Sequence, residues 1–170
     1  PLVKKLGFSD PIKEVCASII GEPLHNFHSR LKDENWDNQV WDGYNTRRDF
    51  IIEVAECLRN GINEIWVRSL ASKMSELERS RQNFVFIISD LRKPNEASML
   101  RDKAAFFVKI KSSQRELKGN MISEGELEDL ISDYEIENEG NLESLQEQLI
   151  LVLIQVYNRS LEFRKFVKKQ

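Results

Sequence analysis

Asp90, Arg92 and Glu96 fall within one short stretch, and their side chains are of the kind that handle anions and sugar hydroxyls. Arginine offers a planar fork suited to a phosphate or a carboxylate. An aspartate can hold that arginine, accept from a sugar hydroxyl, or bind Mg2+ through water. Alternate residues of an extended chain point the same way, so Asp90 and Arg92 can face one ligand. The plainer alternative is a structural ion pair at a strand end. Arg47 and Arg48 stand at a predicted helix start, where the macrodipole already favours anions. Paired arginines there act against the dipole. A phosphate ligand would account for them; without one they are solvated cations. Trp66 is either a core aromatic or a stacking face for a base. Arginines, a carboxylate and an aromatic around a nucleotide are the parts used in phosphoryl transfer, where positioning and charge neutralisation do most of the catalysis. Asp90 and Arg92 are the candidates for the catalytic part. No Ser-His-Asp or Cys-His arrangement is apparent, so hydrolase and acyl-transfer chemistry lack support.

The elements that must position these residues follow from periodicity. Residues 84–89 form a continuous apolar run, which predicts a strand buried on both faces in the middle of a parallel sheet. Open α/β sheets place ligands beyond the carboxyl ends of such strands, which is where Asp90 and Arg92 stand. Pro94 opens the next helix, to about residue 103. Upstream, residues 2–8 read as a strand, with Asp10 as N-cap and Pro11 as first helical residue of a helix that Gly21 ends. Residues 22–45 are polar and irregular, either a surface excursion or a flap over a ligand. Thr46 and Asp49 form a capping-box signature for a helix broken at Gly61. Ile65, Val67, Leu70 and Met74 continue as another helix. Residues 105–110 and 133–136 read as strands, Ser123 and Glu126 as a second capping signature, and 141–168 as a long C-terminal helix. The order predicts an α/β fold, a parallel sheet with helices on both faces, in a single domain over residues 1–170.

Composition narrows the function class. The formal net charge is −3 with both signs interspersed, so no basic field points to a nucleic acid polymer. Cys16 and Cys57 both sit in helical apolar stripes and read as reduced core residues of a cytosolic protein. His25 and His28 lack the companions of a zinc site and read as surface residues, so no metal ligands are assigned. No apolar run approaches the roughly 20 residues of a membrane span, and no signal peptide is visible.

Several segments together resemble the deoxynucleoside monophosphate kinases of tailed bacteriophages, a branch of the P-loop nucleotide kinases. Leu6-Gly7-Phe8-Ser9-Asp10-Pro11-Ile12-Lys13 is similar to the family's F-A-D-P-[IL]-K segment, and Thr46-Arg47-Arg48-Asp49-Phe50 to its R-R-x-[LF] helix start. Ile65-Trp66-Val67 resembles its [YI]-W-V, and Asp90-Leu91-Arg92 through Glu96 its D-[VT]-R-x-x-x-E. Met121 to Glu124 and Ile136 to Leu145 resemble the family's ending. The resemblance implies a three-layer fold and an enzyme that moves the γ-phosphate of ATP, with Mg2+, onto a deoxynucleoside monophosphate in the cytoplasm. It implies that Arg48 and Arg92, beside Arg47, hold the acceptor phosphate and that Trp66 packs on base or sugar. Asp90 and Glu96 would orient the acceptor and fix the arginines. Arg115 falls in a basic stretch near where nucleotide kinases place adenine contacts. A homodimer is also compatible with the resemblance.

One family feature has no counterpart. None of the seven glycines begins a G-K-[ST] sequence, so the loop that holds the donor phosphates and Mg2+ is not in these 170 residues. In the family, that loop follows the central strand and lies just before the segment that begins here at Leu2. A sheet lacking its central strand would leave buried backbone groups unpaired. The expectation is therefore a preceding strand, loop and helix outside this sequence. The alternative is a non-catalytic nucleotide-binding or interaction module derived from such a kinase.

Overall fold

The computed structural model describes residues 2–28, 30–36, 43–80, 82–111 and 130–167, the last seven as backbone only. The chain forms two compact units, Pro1–Leu91 and Arg92–Gln170.

In the first unit, β1 (Leu2–Leu6) and β2 (Phe84–Ile88) pair in parallel, with Leu2 opposite Phe84 and Leu6 opposite Ile88. Between them run α1 (Asp10–Ile20), the short α2 (His25–His28), a 3-10 turn (Arg30–Asp33), α3 (Arg47–Gly61) and α4 (Ile65–Arg79). The parallel pairing requires such a crossover. The helical spacing 12, 16 and 17 turns Ile12, Cys16 and Ala17 inward on α1. Phe50, Ile51 and Ala55 do the same on α3, and Trp66, Leu70 and Met74 on α4. Ile12, Cys16, Phe27, Trp36, Phe50, Ala55 and Trp66 share one apolar cluster. Within it, Phe50 packs with Trp36 and Tyr44 edge-on, at 5.9 and 5.2 Å between ring centroids. Gly21 ends α1 at φ 75°, a left-handed conformation in which its N–H donates to the Ala17 carbonyl.

Three expectations need correction. The β2 run is not buried on both faces: Phe84, Phe86 and Ile88 are half-buried, while Val85 and Ile87 are 42% and 43% exposed. Burial on both faces takes cover on both, and the described residues cover one. Ser9, not Asp10, precedes the first helical residue of α1; its carbonyl accepts from Lys13 N at 3.1 Å, which puts Asp10 in the first turn. Cys57 is exposed, whereas Cys16 is completely buried. The apolar stripe of α3 runs through Ile51 and Ala55, and two residues past Ala55 the helix faces away from it.

In the second unit, α5 (Pro94–Asp102) is followed by β3 (Val108–Lys111), β4 (Tyr134–Glu137) and α6 (Leu142–Val167). β3 and β4 pair in parallel, Ile110 opposite Ile136. Ala97, Leu100, Phe107, Ile136 and Val152 are buried. Asp133 ties the connection together. It accepts from Phe107 N and from the Arg101 guanidinium, both at 2.8 Å, and Arg101 lies 4.1 Å above the Phe107 ring. Ile150, Leu151, Leu153, Ile154 and Tyr157 on α6 are exposed. The expected helix after Ser123 lies outside the described residues. Among the described residues no helix is long and apolar enough to cross a membrane.

The two cysteines should therefore differ in reactivity. Cys57 should react with a thiol-disulfide reagent in the native protein. Cys16, whose thiol burial pushes up to about 11, should react only on unfolding. Counting released chromophore with and without denaturant checks this; a native count of two would place Cys16 at the surface.

Candidate functional site

The end of β2 is locked to the turn after β1. Asp90 Oδ1 accepts from Phe8 N at 3.0 Å, and Oδ2 from Ser9 N at 2.9 Å. The chain turns here from β1 into α1, and the carboxylate occupies the helix start, where negative charge is favoured. Gly7 makes the approach possible: a Cβ there would stand 2.7 Å from Asp90 Oδ2. The Asp90 carboxylate thus engages backbone amides, a partner that sequence reading did not consider.

The start of α3 gathers the two arginines. Thr46 and Asp49 form the expected capping box: Thr46 Oγ1 accepts from Asp49 N, and the Asp49 carboxylate accepts from Thr46 N. Arg47 donates from Nε to Glu22 Oε2 at 2.7 Å, from a terminal nitrogen to Oε1 at 3.2 Å, and from the other to the Leu31 carbonyl at 3.3 Å. Its guanidinium also lies 5.3 Å from the centre of the Trp36 ring. Glu22 further accepts from Trp36 Nε1 at 2.9 Å and Asn26 Nδ2 at 3.0 Å. The Arg47 hydrogen bonds, foremost, hold the Glu22 carboxyl below its ordinary range. Arg48 pairs with Asp33, lowering the Asp33 carboxyl and raising the arginine. Two carboxylates from the 22–45 segment therefore offset the cost of placing arginines at a helix N-terminus. Glu22 and Asp33 were missed in the sequence because they lie 25 and 15 residues from their partners, and no local pattern links them.

Trp66 is 3% exposed, and its Nε1 donates to the Ala55 carbonyl at 3.2 Å. Its ring is covered by protein, consistent with the core alternative.

In the second unit, Glu96 is only 3% exposed, although it is a carboxylate. Its Oε2 accepts from Arg92 N at 2.9 Å and Lys93 N at 3.1 Å. It thereby caps α5, which Pro94 opens, and fixes the backbone that carries Arg92. The Arg92 side chain is exposed and has no hydrogen-bond or ion-pair partner among the described residues. Arg115 lies outside the described residues.

Each unit thus presents a guanidinium of its own: Arg92 is exposed on a fixed backbone, and Arg48 is paired with the surface carboxylate of Asp33. Residues 55–149 match the deoxynucleotide monophosphate kinase family, more than half of the chain, and the chain belongs to that family. Trp66, Asp90, Arg92 and Glu96 fall inside the matched stretch, while Arg47 and Arg48 precede it. No curated protein and no solved structure matches the chain.

Two stability predictions follow from these contacts. Asp90→Ala removes two charge-assisted hydrogen bonds and should cost about 2–4 kcal/mol in urea unfolding. Gly7→Ala, which drives a methyl against the same carboxylate, should cost about 1–3 kcal/mol. A third concerns pH. Because folding depresses the Glu22 carboxyl, its contribution is present above the ordinary value of 4.5 and is lost as pH falls through the lower folded value. Glu22→Gln should flatten the acid limb of a stability-pH curve; an unchanged limb would show that the Arg47 pair is not coupled to folding.

Proposed function

We propose that this chain carries the acceptor side of an ATP-dependent phosphotransferase that moves a γ-phosphate onto a deoxynucleoside monophosphate. The observation that carries this is Arg92: an exposed guanidinium with no side-chain partner among the described residues, on a backbone fixed by a buried glutamate, inside the stretch that matches the kinase family. Arg92 would hold and neutralise the acceptor phosphate; Arg48 is a second acceptor-phosphate residue by resemblance alone, and would exchange Asp33 for the phosphate. Arg47, committed to Glu22, would set the direction of Arg48. Asp90 would act through the turn that it holds, and Trp66 through the packing of α3 on α4. Arg115 enters as an adenine contact by resemblance alone. The same resemblance supports a three-layer α/β/α domain with helices on both faces of one sheet, a cytoplasmic setting and a homodimer.

ATP and Mg2+ belong to this proposal as donor and its ion. Among the described residues no His, Cys, Asp and Glu side chains gather as a metal site. The phosphate-holding loop G-x-x-x-x-G-K-[ST] is not in these 170 residues. Apart from Arg115, which the resemblance alone offers for the adenine, no residue here is assigned to the donor, and only acceptor binding is argued from this chain's described residues. That same observation keeps a second reading alive, a nucleotide-binding module that retains the acceptor side without catalysis.

A panel of deoxynucleoside monophosphates incubated with ATP, Mg2+ and the full-length protein separates the two. Diphosphate formation establishes the kinase; monophosphate binding without turnover establishes the module. In the kinase, Arg92→Ala should cost about 2–4 kcal/mol in kcat/KM, like the loss of other charge-stabilising donors. Unchanged turnover of every deoxynucleotide would remove Arg92 from the site.

A further inference from the structure

We propose that Asp33 is a built-in competitor for the acceptor phosphate: its carboxylate holds the Arg48 guanidinium until a phosphate monoester takes its place, and so sets how tightly that ligand binds. The proposal rests on the reading of Arg48 as an acceptor-phosphate residue, and the ligand class is a nucleoside monophosphate.

The Arg48 contact is not what brings Asp33 to this place. Asp33 ends the 3-10 turn Arg30–Asp33, and other bonds tie that turn to the start of α3. Trp36 N donates to the Asn45 carbonyl at 2.7 Å, and Asn35 pairs with Thr46 in an antiparallel bridge. The buried Trp36 ring donates from Nε1 to Glu22, which also holds Arg47. Arg47 in turn donates to the Leu31 carbonyl, inside the turn. On the amino-terminal side, Phe27 of α2 is completely buried. The turn is thus anchored before and after Asp33. An anion held beside its partner in this way acts as a high local concentration, because it meets no association cost.

The pair itself is one that can be given up. The Arg48 and Asp33 side chains are 40% and 45% exposed, and ion pairs so placed are worth little in water. The contact runs from one guanidinium nitrogen, Nε, to one carboxylate oxygen, Oδ1. Arg47 and Glu22 contrast with it: two nitrogens meet two oxygens, with side chains 15% and 22% exposed. A phosphate monoester brings up to two charges and three terminal oxygens, so it can offer Arg48 the parallel pair of bonds that Asp33 does not. The displaced carboxylate keeps a counter-ion, because its Oδ2 lies 3.9 Å from the Lys32 ammonium. Exchange therefore takes a side-chain movement and not the release of the turn. Removing the Asp33 charge should strengthen phosphate binding, the opposite sign to losing a phosphate contact or a scaffold residue.

Calorimetric titration of the full-length protein with a deoxynucleoside monophosphate, set beside the same nucleoside without its phosphate, tests this. Asp33→Asn should tighten monophosphate binding about three- to fivefold and leave nucleoside binding unchanged. In an Arg48→Gln background the same substitution should give no gain, because the carboxylate then has no guanidinium to withhold. Unchanged or weaker monophosphate binding in Asp33→Asn would overturn the proposal, as would a gain that persists without Arg48 or that appears equally for the nucleoside. Circular dichroism melting checks folding; if Asp33→Asn does not fold, Asp33→Ser takes its place with the same expectation. Arg48→Gln alone separates the levels of failure. If it weakens monophosphate binding while Asp33→Asn changes nothing, the present proposal fails and the Arg48 reading stands. If it leaves monophosphate binding unchanged, the Arg48 reading fails and the proposal with it. Wild-type protein that binds no monophosphate sinks the acceptor-site reading as a whole.

Discussion

The contact between the Asp90 carboxylate and the amides of Phe8 and Ser9 joins positions 82 and 81 residues apart, and the first unit depends on it. β1 and β2 are parallel, so no hairpin turn sets their register. The carboxylate supplies a fastening at their carboxyl ends. It fixes where β1 turns into α1 and hence which face of α1 meets α3 and α4. The absence of a side chain at Gly7 is part of the same constraint, because the carboxylate approaches where a Cβ would sit. A residue whose type and position suggested ligand chemistry thus also carries the architecture around it.

Charge at the start of α3 is arranged on the same principle. Arg47 and Arg48 oppose the helix dipole, and the 22–45 segment returns Glu22 and Asp33 to meet them. The two pairs differ in kind. Arg47 is held by a carboxylate, a carbonyl and an aromatic ring, in a setting where giving up those partners would be costly. Arg48 shares a half-exposed carboxylate with solvent and with Lys32, a contact of the sort that is worth little in water. Paired arginines therefore divide the work between holding the segment and offering a cation that can change partners. Glu96 supports Arg92 in a comparable way, through the backbone and not through the guanidinium.

Local patterns were legible where local physics decides them. The Thr46 and Asp49 capping box, the end of α1 at Gly21, the opening of α5 at Pro94 and the long α6 all appear as their sequences predict. Each depends on contacts within a turn or two of helix. The stripes are less sharply legible. Cys57 lies outside the apolar side of its helix, while Trp66 is buried on α4 beside Leu70 and Met74. β2 looked like a doubly buried strand from its composition, yet burial is a property of its neighbours and not of the strand itself.

What the sequence alone determined was the set of chemical groups, the helices that carry them, and a resemblance that the family match over residues 55–149 supports. Those depend on residue type and short spacing, which survive any arrangement of the rest. Which carboxylate meets which arginine was decided only by the tertiary structure. Glu22 with Arg47, Asp33 with Arg48, and Asp90 with the turn after β1 are long-range pairings set by how the crossover folds back. The exposure of Arg92 in the second unit and the half-burial of Lys13 in the first are likewise set by packing, because burial and ion pairing are outcomes that no single stretch of chain contains.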